Sequence, residues 1–205
     1  MSAYEVIIPT CNMELAKEAQ RSMSPIKSRI FDGSNFESFS KLINSCVVSS
    51  DKEIIVICND KARPKEQDVY RLLDLVNKGY GVSGLYRFGF FAFKKDLMRL
   101  IGFMDERYVG GEYENCDFLR RLKEKDIGYY EDESIEYAQL PSRWVRTKAL
   151  QHFKAKWDEI PGSTRRMLPE ESYAYNIGPF RGSSFLGWGH SVLMDKDNFK
   201  EWKIS

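Results

Sequence analysis

The chain has 205 residues, 42% of them hydrophobic and 14% aromatic, enough to bury a substantial core in one large domain. Its 31 basic and 30 acidic residues nearly cancel, so no global field is present to hold a polyanion, and nucleic acid is not an expected partner. No apolar run reaches the roughly 18 residues that cross a bilayer, the N-terminus MSAYEVIIPT lacks the regions of a signal peptide, and Cys11, Cys46, Cys58 and Cys116 are scattered without a C-x-x-C pair. The expectation is a soluble cytoplasmic chain with no membrane span, reduced thiols, and neither a zinc site nor a disulfide framework.

Glu5 to Pro9 carries a short strand signal, and Thr10-Cys11-Asn12 is a polar break from which Met13 to Met23 runs as a helix. Pro25 to Phe31 predicts a second strand ending in Asp32-Gly33-Ser34, with Asn35 offered as N-cap of a helix carrying Phe36, Phe39, Leu42 and Ile43. Ile54 to Ile57 is a continuous apolar run, the mark of a strand buried on both faces, and it stops at Cys58-Asn59-Asp60-Lys61. After Pro64, Val69, Leu72, Leu73 and Val76 have the spacing of a buried helical face, ended by Gly79 and Gly81. Three strand and helix units in a row predict an α/β fold with a mostly parallel sheet and a ligand site at the strand C-terminal edge, where Thr10, Asp32 and Asp60 fall.

Beyond Val82 the texture changes. GVSGLYRFGFFAF reads as one or two strands, Lys95 to Ile101 as a short helix stopped by Gly102, and Asp105 to Gly111 as a polar turn. Glu114 to Lys125 has helical spacing, with acidic residues in the first turn where the helix dipole favours them, and a strand-like IGYY follows. Val145 to Trp157 predicts a helix, Pro161 to Pro169 a loop, and Asn176 to His190 is Gly-rich and aromatic without a period. With no internal repeat or linker, residues 1–205 read as a single domain.

The ordered set IIPTCN, FDGSN, IVICND, GFMDERYVGGEYENCDFLRRLKEKDIGYY and HFKAKW resembles the GT-A glycosyltransferases, particularly the large family two type. The resemblance covers most of Tyr4 to Trp157. It implies a GT-A fold with a Rossmann-like central sheet, flanking helices and an aromatic-rich C-terminal extension. The nucleotide-binding half would lie at about 1–95 and the acceptor-side half at about 96–205. It further implies a hexose or deoxyhexose moved from a UDP-sugar to a hydroxyl of a glycan or glycoprotein, with Mn2+ or Mg2+ as cofactor. A domain of a longer viral chain, working in the host cytoplasm, is compatible with it.

On this resemblance Pro9 and Thr10 open the nucleotide pocket, Asp32 accepts a hydrogen bond from uracil, and Asn59 and Asp60 form the metal-binding element with Asp60 as ligand. The plainer readings are a turn-forming Asp32 and an Asx turn of Asp60 before Lys61. The full Asp-x-Asp is reduced here, because it needs a second carboxylate at Cys58 or at Lys61, depending on register, and neither position has one. His190 from the GWGH stretch is a candidate second ligand, or a hydrogen-bonded structural histidine. Lys61 and Arg63 are candidates to neutralise the phosphates in place of a metal, or solvated surface charges, and Arg181 to reach the diphosphate from a closing loop.

The family's Glu-Asp-x-Asp appears as Glu114-Asn115-Cys116-Asp117, so Asn115 occupies the usual base position and cannot take a proton. Asp117, then Glu114 and Glu112, are the candidate catalytic carboxylates, set against ordinary helix-start acidity. Phe153 and Trp157 at i, i+4 read as a packing face. Two other classes stay open, a non-catalytic glycan- or nucleotide-binding module and a sugar-nucleotide pyrophosphorylase, although the Gly-rich signature of the latter is missing after the first strand.

Overall fold

The structure is a computed structural model that describes residues 3–84, 88–108, 113–130 and 134–136, with His152, Phe153 and Lys156. The described residues fall into two compact units, one drawn from Met1–Phe36, Ser45–Leu97 and Asp126–Ser142, the other from Glu37–Asn44, Met98–Lys125 and Arg143–Ser205. The elements in order are β1 (Tyr4–Thr10), α1 (Met13–Ser22), β2 (Ser28–Asp32), α2 (Phe39–Val48), β3 (Ile54–Cys58), α3 (Glu66–Asn77), β4 (Val82–Ser83), β5 (Phe90–Lys94), α4 (Leu97–Ile101), α5 (Glu114–Glu124) and β6 (Tyr129–Tyr130).

All six strands belong to the first unit and form one sheet in the order β2-β1-β3-β5-β4-β6. The β1–β2, β1–β3 and β4–β6 pairings are parallel, while β5 runs antiparallel to both β3 and β4. The sheet is therefore mostly parallel, with one reversed strand at its centre that the apolar pattern of GVSGLYRFGFFAF does not foretell. Strand β3 lies between β1 and β5 and is buried along its length, as its unbroken apolar run requires. Strand β2 is one edge, with β6 at the other, and the residues of β2 are only half-buried or exposed.

One face of the sheet carries Val6 and Ile8 from β1, Ile54, Val56 and Cys58 from β3, and Phe90 and Ala92 from β5, each set spaced by two. Against it lie Ala16 and Ala19 of α1 and Val69, Leu72, Leu73 and Val76 of α3, the face read from the sequence. Each fully buried aliphatic side chain there contributes about 1.5–3 kcal/mol. Asn12 starts α1 by accepting the amides of Glu14 and Leu15. Asp68 reaches back to the Lys65 amide at 2.8 Å to start α3, and Gly79, at φ +103, closes it.

Two boundaries differ from expectation. The second strand begins at Ser28 and not Pro25, because Ile26 N–H turns back to Met23 O at 2.9 Å. The second helix begins at Phe39 with Ser38 Oγ accepting the Lys41 amide, whereas Asn35 lies in the turn before it. The loop at Pro161 to Pro169 and the stretch Asn176 to His190 lie outside the described residues, as does most of Val145 to Trp157.

Candidate functional site

In the β1–β2 register Pro9 pairs with Phe31 and Thr10 with Asp32, so Thr10 and Asp32 end neighbouring parallel strands side by side. The β1–β3 register pairs Tyr4 with Ile54 and Ile7 with Ile57; continued past the strand ends, it brings Thr10 opposite Asp60. Thr10 Oγ1 donates to Asp60 Oδ2 at 2.6 Å. Asp32, Thr10 and Asp60 thus form a row across β2, β1 and β3. The chain leaves β1 for β2 on one side and returns to β3 on the other, which makes the β1–β3 crevice a topological switch point, where sheets of this kind bind ligands.

Thr10 is buried, and its hydroxyl also accepts the Asn12 amide at 2.8 Å and lies 2.8 Å from Asn12 O. It has one proton, and the shorter, charge-assisted bond to Asp60 is the better place for it. At the β3 loop Asn59 Oδ1 accepts the Lys61 amide at 3.0 Å in an Asx turn, and the Asp60 carboxylate accepts both from the Lys61 backbone and from Thr10 Oγ1. Asn59 N–H donates to Gly89 O at 2.6 Å. Burial pushes the Asp60 carboxyl above its ordinary value, against the pull of the Thr10 hydroxyl and the charges of Lys61 and Arg63.

Arg63 Nη1 donates to Asp60 O at 2.7 Å and to Ala62 O at 2.9 Å, and Nη2 meets Glu18 Oε2 of α1 at 2.6 Å. Asp32 is exposed, and its Oδ1 accepts the Ser34 amide at 2.9 Å; these Ser34 hydrogen bonds hold its carboxyl below the ordinary value. Among the described residues no group of three or more His, Cys, Asp or Glu gathers, and Asp60 is the carboxylate that the Thr10 hydroxyl holds at the β1–β3 crevice. One carboxylate suits a small hard cation that completes its sphere with water and substrate phosphates, the usual habit of Mg2+ sites.

The second unit holds a charged cluster of its own. Asp105 is fully buried and accepts from Arg107 Nε at 2.9 Å and Nη2 at 2.8 Å, from Lys156 Nζ at 3.0 Å, and has His152 Nε2 at 3.1 Å. Asp117, also fully buried, has Lys156 Nζ on Oδ1 at 2.5 Å and Arg121 Nε on Oδ2 at 3.0 Å. Lys156 is 1% exposed and bridges both carboxylates. Arg121 Nη1 also donates to Ile101 O at 2.6 Å and Gly102 O at 3.1 Å, satisfying carbonyls at the end of α4. Asn44 pins the same turn, donating to Met104 O and Glu106 Oε1 at 2.9 Å each and accepting the Met104 amide at 3.0 Å.

Asp117, the first-named base candidate, therefore has both oxygens held by cations and no face open to solvent. Glu114 is buried in the first turn of α5, behind Tyr113 in the left-handed region at φ 65, and Asn115 is half-buried. Glu112, Arg181 and His190 lie outside the described residues. Sequence reasoning passed over Asp105, Arg107, Asn44 and Glu18. The clue to Asp105 was its place at the head of the Asp105 to Gly111 stretch, which reads as a polar turn until the burial of Asp105 is seen.

No protein-family model matches the chain, and no curated protein matches it in sequence. The fold is of the GT-A glycosyltransferase type. Glucosyl-3-phosphoglycerate synthase from Mycobacterium tuberculosis, solved with Mn2+, UDP and phosphoglyceric acid, is similar over 78% of this chain and 80% of its own, with a TM-score of 0.53 at 12% identity. Its complex with Mn2+, UDP and glucosyl-3-phosphoglycerate gives 78%, 81%, 0.51 and 14%. Drosophila β1,4-galactosyltransferase 7 with manganese, UDP-Gal and xylobiose is similar over 83% of this chain and 79% of its own, with a TM-score of 0.48 at 12% identity.

Proposed function

We propose that the protein is a glycosyltransferase that moves a hexose or deoxyhexose from a UDP-sugar to a hydroxyl of a glycan or glycoprotein, assisted by Mn2+ or Mg2+. The observation that carries the reading is the Thr10–Asp60 pair at the switch point of a GT-A sheet, with Asp32 next in the row. The Mn2+ and UDP in the mycobacterial synthase structures support the choice of cofactor and donor. Asp60 would hold the cation, which supplies neutralisation of charge building on the departing diphosphate. Lys61 adds a second positive charge beside it, and the exposed Asp32 carboxylate accepts the uracil N–H.

In the transfer, the acceptor oxygen forms a bond to the anomeric carbon as the bond to UDP breaks, and a base takes the acceptor proton. Asp117, Glu114 and Glu112 are the candidates for that task, Asp117 with Lys156 and Arg121 on its oxygens. A closer resemblance, to the N-terminal glycosyltransferase domain of a large chlorella virus protein that helps glycosylate its capsid, supports a glycoprotein acceptor and one domain of a longer chain. A second reading, a non-catalytic glycan- or nucleotide-binding module, draws on Asn115 at the usual base position.

Isothermal titration with UDP, with and without Mn2+, tests the first reading. Binding that strengthens with Mn2+ and is lost in Asp60→Ala is expected; no binding in either condition sinks it. Slow UDP-sugar hydrolysis above a protein-free control, abolished by Asp60→Ala, excludes the binding module.

A further inference from the structure

We infer that Arg63 is a positioning residue for Asp60, not a ligand of the diphosphate, and that Glu18 on α1 is the anchor it acts through. This rests on the donor site proposed above, and it concerns residues of the first unit alone. A guanidinium that binds phosphate presents its fork to the ligand. Here the fork is turned inward: Nη1 takes the carbonyls of Asp60 and Ala62, and Nη2 takes Glu18. The side chain is 18% exposed, and the Arg63 amide is itself fixed to Glu136 O at 2.9 Å.

The contacts close a ring. Helix α1 begins at Asn12, whose amide donates to Thr10 Oγ1, and that hydroxyl holds the Asp60 carboxylate. One turn and a half further along α1, Glu18 holds Arg63, and Arg63 holds the Asp60 carbonyl. Both the side chain and the main chain of Asp60 are thus referred to the same helix, from Asn12 at its start and from Glu18 in its body. Fixing the Asp60 carboxylate in advance sets where a cation at the crevice would sit. Glu18 is an exposed acidic residue that no sequence motif singles out, and its role appears only when α1 is laid beside the β3 loop.

The two roles for Arg63 predict opposite behaviour of Glu18→Ala. If Arg63 bound phosphate, removing Glu18 would release the guanidinium and leave UDP affinity unchanged or raised. As a clamp, Glu18→Ala weakens Mn2+-dependent UDP binding by about fivefold, the scale of a half-exposed ion pair, in the same direction as Arg63→Ala. The double variant is then no weaker than the weaker single one, and Glu18→Gln, which keeps an acceptor, recovers part of the loss. Hydrogen exchange at the amides of Lys61, Ala62 and Arg63 in the ligand-free protein is read alongside and is expected to speed up in Glu18→Ala. Unchanged exchange, or unchanged or tighter UDP binding in Glu18→Ala, overturns the inference. If the wild-type protein binds no UDP, the functional reading fails by itself, and the exchange measurement still decides the clamp.

Discussion

Thr10 and Asp60 stand 50 residues apart in the chain and 2.6 Å apart in space, joined by a hydroxyl that donates to a partly desolvated carboxylate. The spacing is the β1–β3 register carried past the strand ends, so the pairing of two buried parallel strands brings the two side chains together. Thr10→Val keeps the shape and removes the donor. It is expected to cost about 1.5–3 kcal/mol in urea unfolding, the range for a hydrogen bond to a charged group, and to weaken Mn2+-dependent UDP binding. Thr10→Ser, which keeps the hydroxyl, should lie near wild type in both. Equal losses in Val and Ser variants would assign the effect to packing of the methyl.

Asp32 separates a turn role from a ligand role with one atom. Asn at this position still offers Oδ1 to the Ser34 amide, so Asp32→Asn should leave the unfolding midpoint unchanged. Its Nδ2 would then meet the uracil N–H as a second donor, and UDP affinity should fall about tenfold or more, as a site built for a hydrogen bond loses it. Unchanged affinity by titration would return Asp32 to the turn alone.

Cys11 offers a probe of the same edge. It is exposed between Thr10 and Asn12, whereas Cys46 is buried with its thiol pushed up to about 12 by desolvation and Cys58 is pushed higher still. A thiol reagent should label Cys11 within the native state, and Cys46 and Cys58 only on unfolding, as followed by mass spectrometry. Saturating UDP with Mn2+ should slow labelling at Cys11; equal rates with and without the ligand would count against a nucleotide at this edge.

The row Thr10, Asp32 and Asp60 could be read from the sequence because Thr10 and Asp32 end their strands and Asp60 lies two residues past the end of β3, and strand ends share an edge when strands are parallel. The strand order could not be read: nothing in Ile54 to Ile57 states that β1 lies on one side and a reversed β5 on the other. The switch point follows from that order alone. The Asx turn of Asn59 was not read because Asn and Asp both make such turns and only the path of the loop shows that Asn59 Oδ1 takes the Lys61 amide. The Asp105 cluster stayed hidden for a different reason. Its charges come from Asp105, Asp117 and Lys156, which are far apart in sequence, and each by itself resembles an ordinary surface residue.

Lys156 is the shared cation of that cluster, so Lys156→Met leaves two buried carboxylates with one cation fewer. Breaking a buried pair from one side costs about 3–5 kcal/mol, and the variant should unfold at correspondingly lower urea or fail to accumulate. Adding Asp117→Asn removes one of the uncompensated charges and should restore part of the stability, a coupling that a double-mutant cycle reads directly. A double variant that is simply the sum of its parts would mean that Lys156 contributes by packing its stem and not by its charge.

Asp105 gives the cluster a signature in acid. Burial alone would raise its carboxyl, but Lys156, His152 and Arg107 together outweigh this and hold it well below the ordinary value. A carboxyl depressed in the folded state stabilises fully above its unfolded pKa of about 3.9, and loses that contribution as pH falls through the folded value. Stability should therefore be insensitive to Asp105 from neutrality down to about pH 5, and decline below about pH 4. Asp105→Asn cannot take part in that proton uptake, so its urea midpoint, lower at neutral pH, should fall less steeply over the acid range than that of the wild type. Parallel acid limbs in the two proteins would place the proton uptake on other carboxylates and remove Asp105 from the acid response.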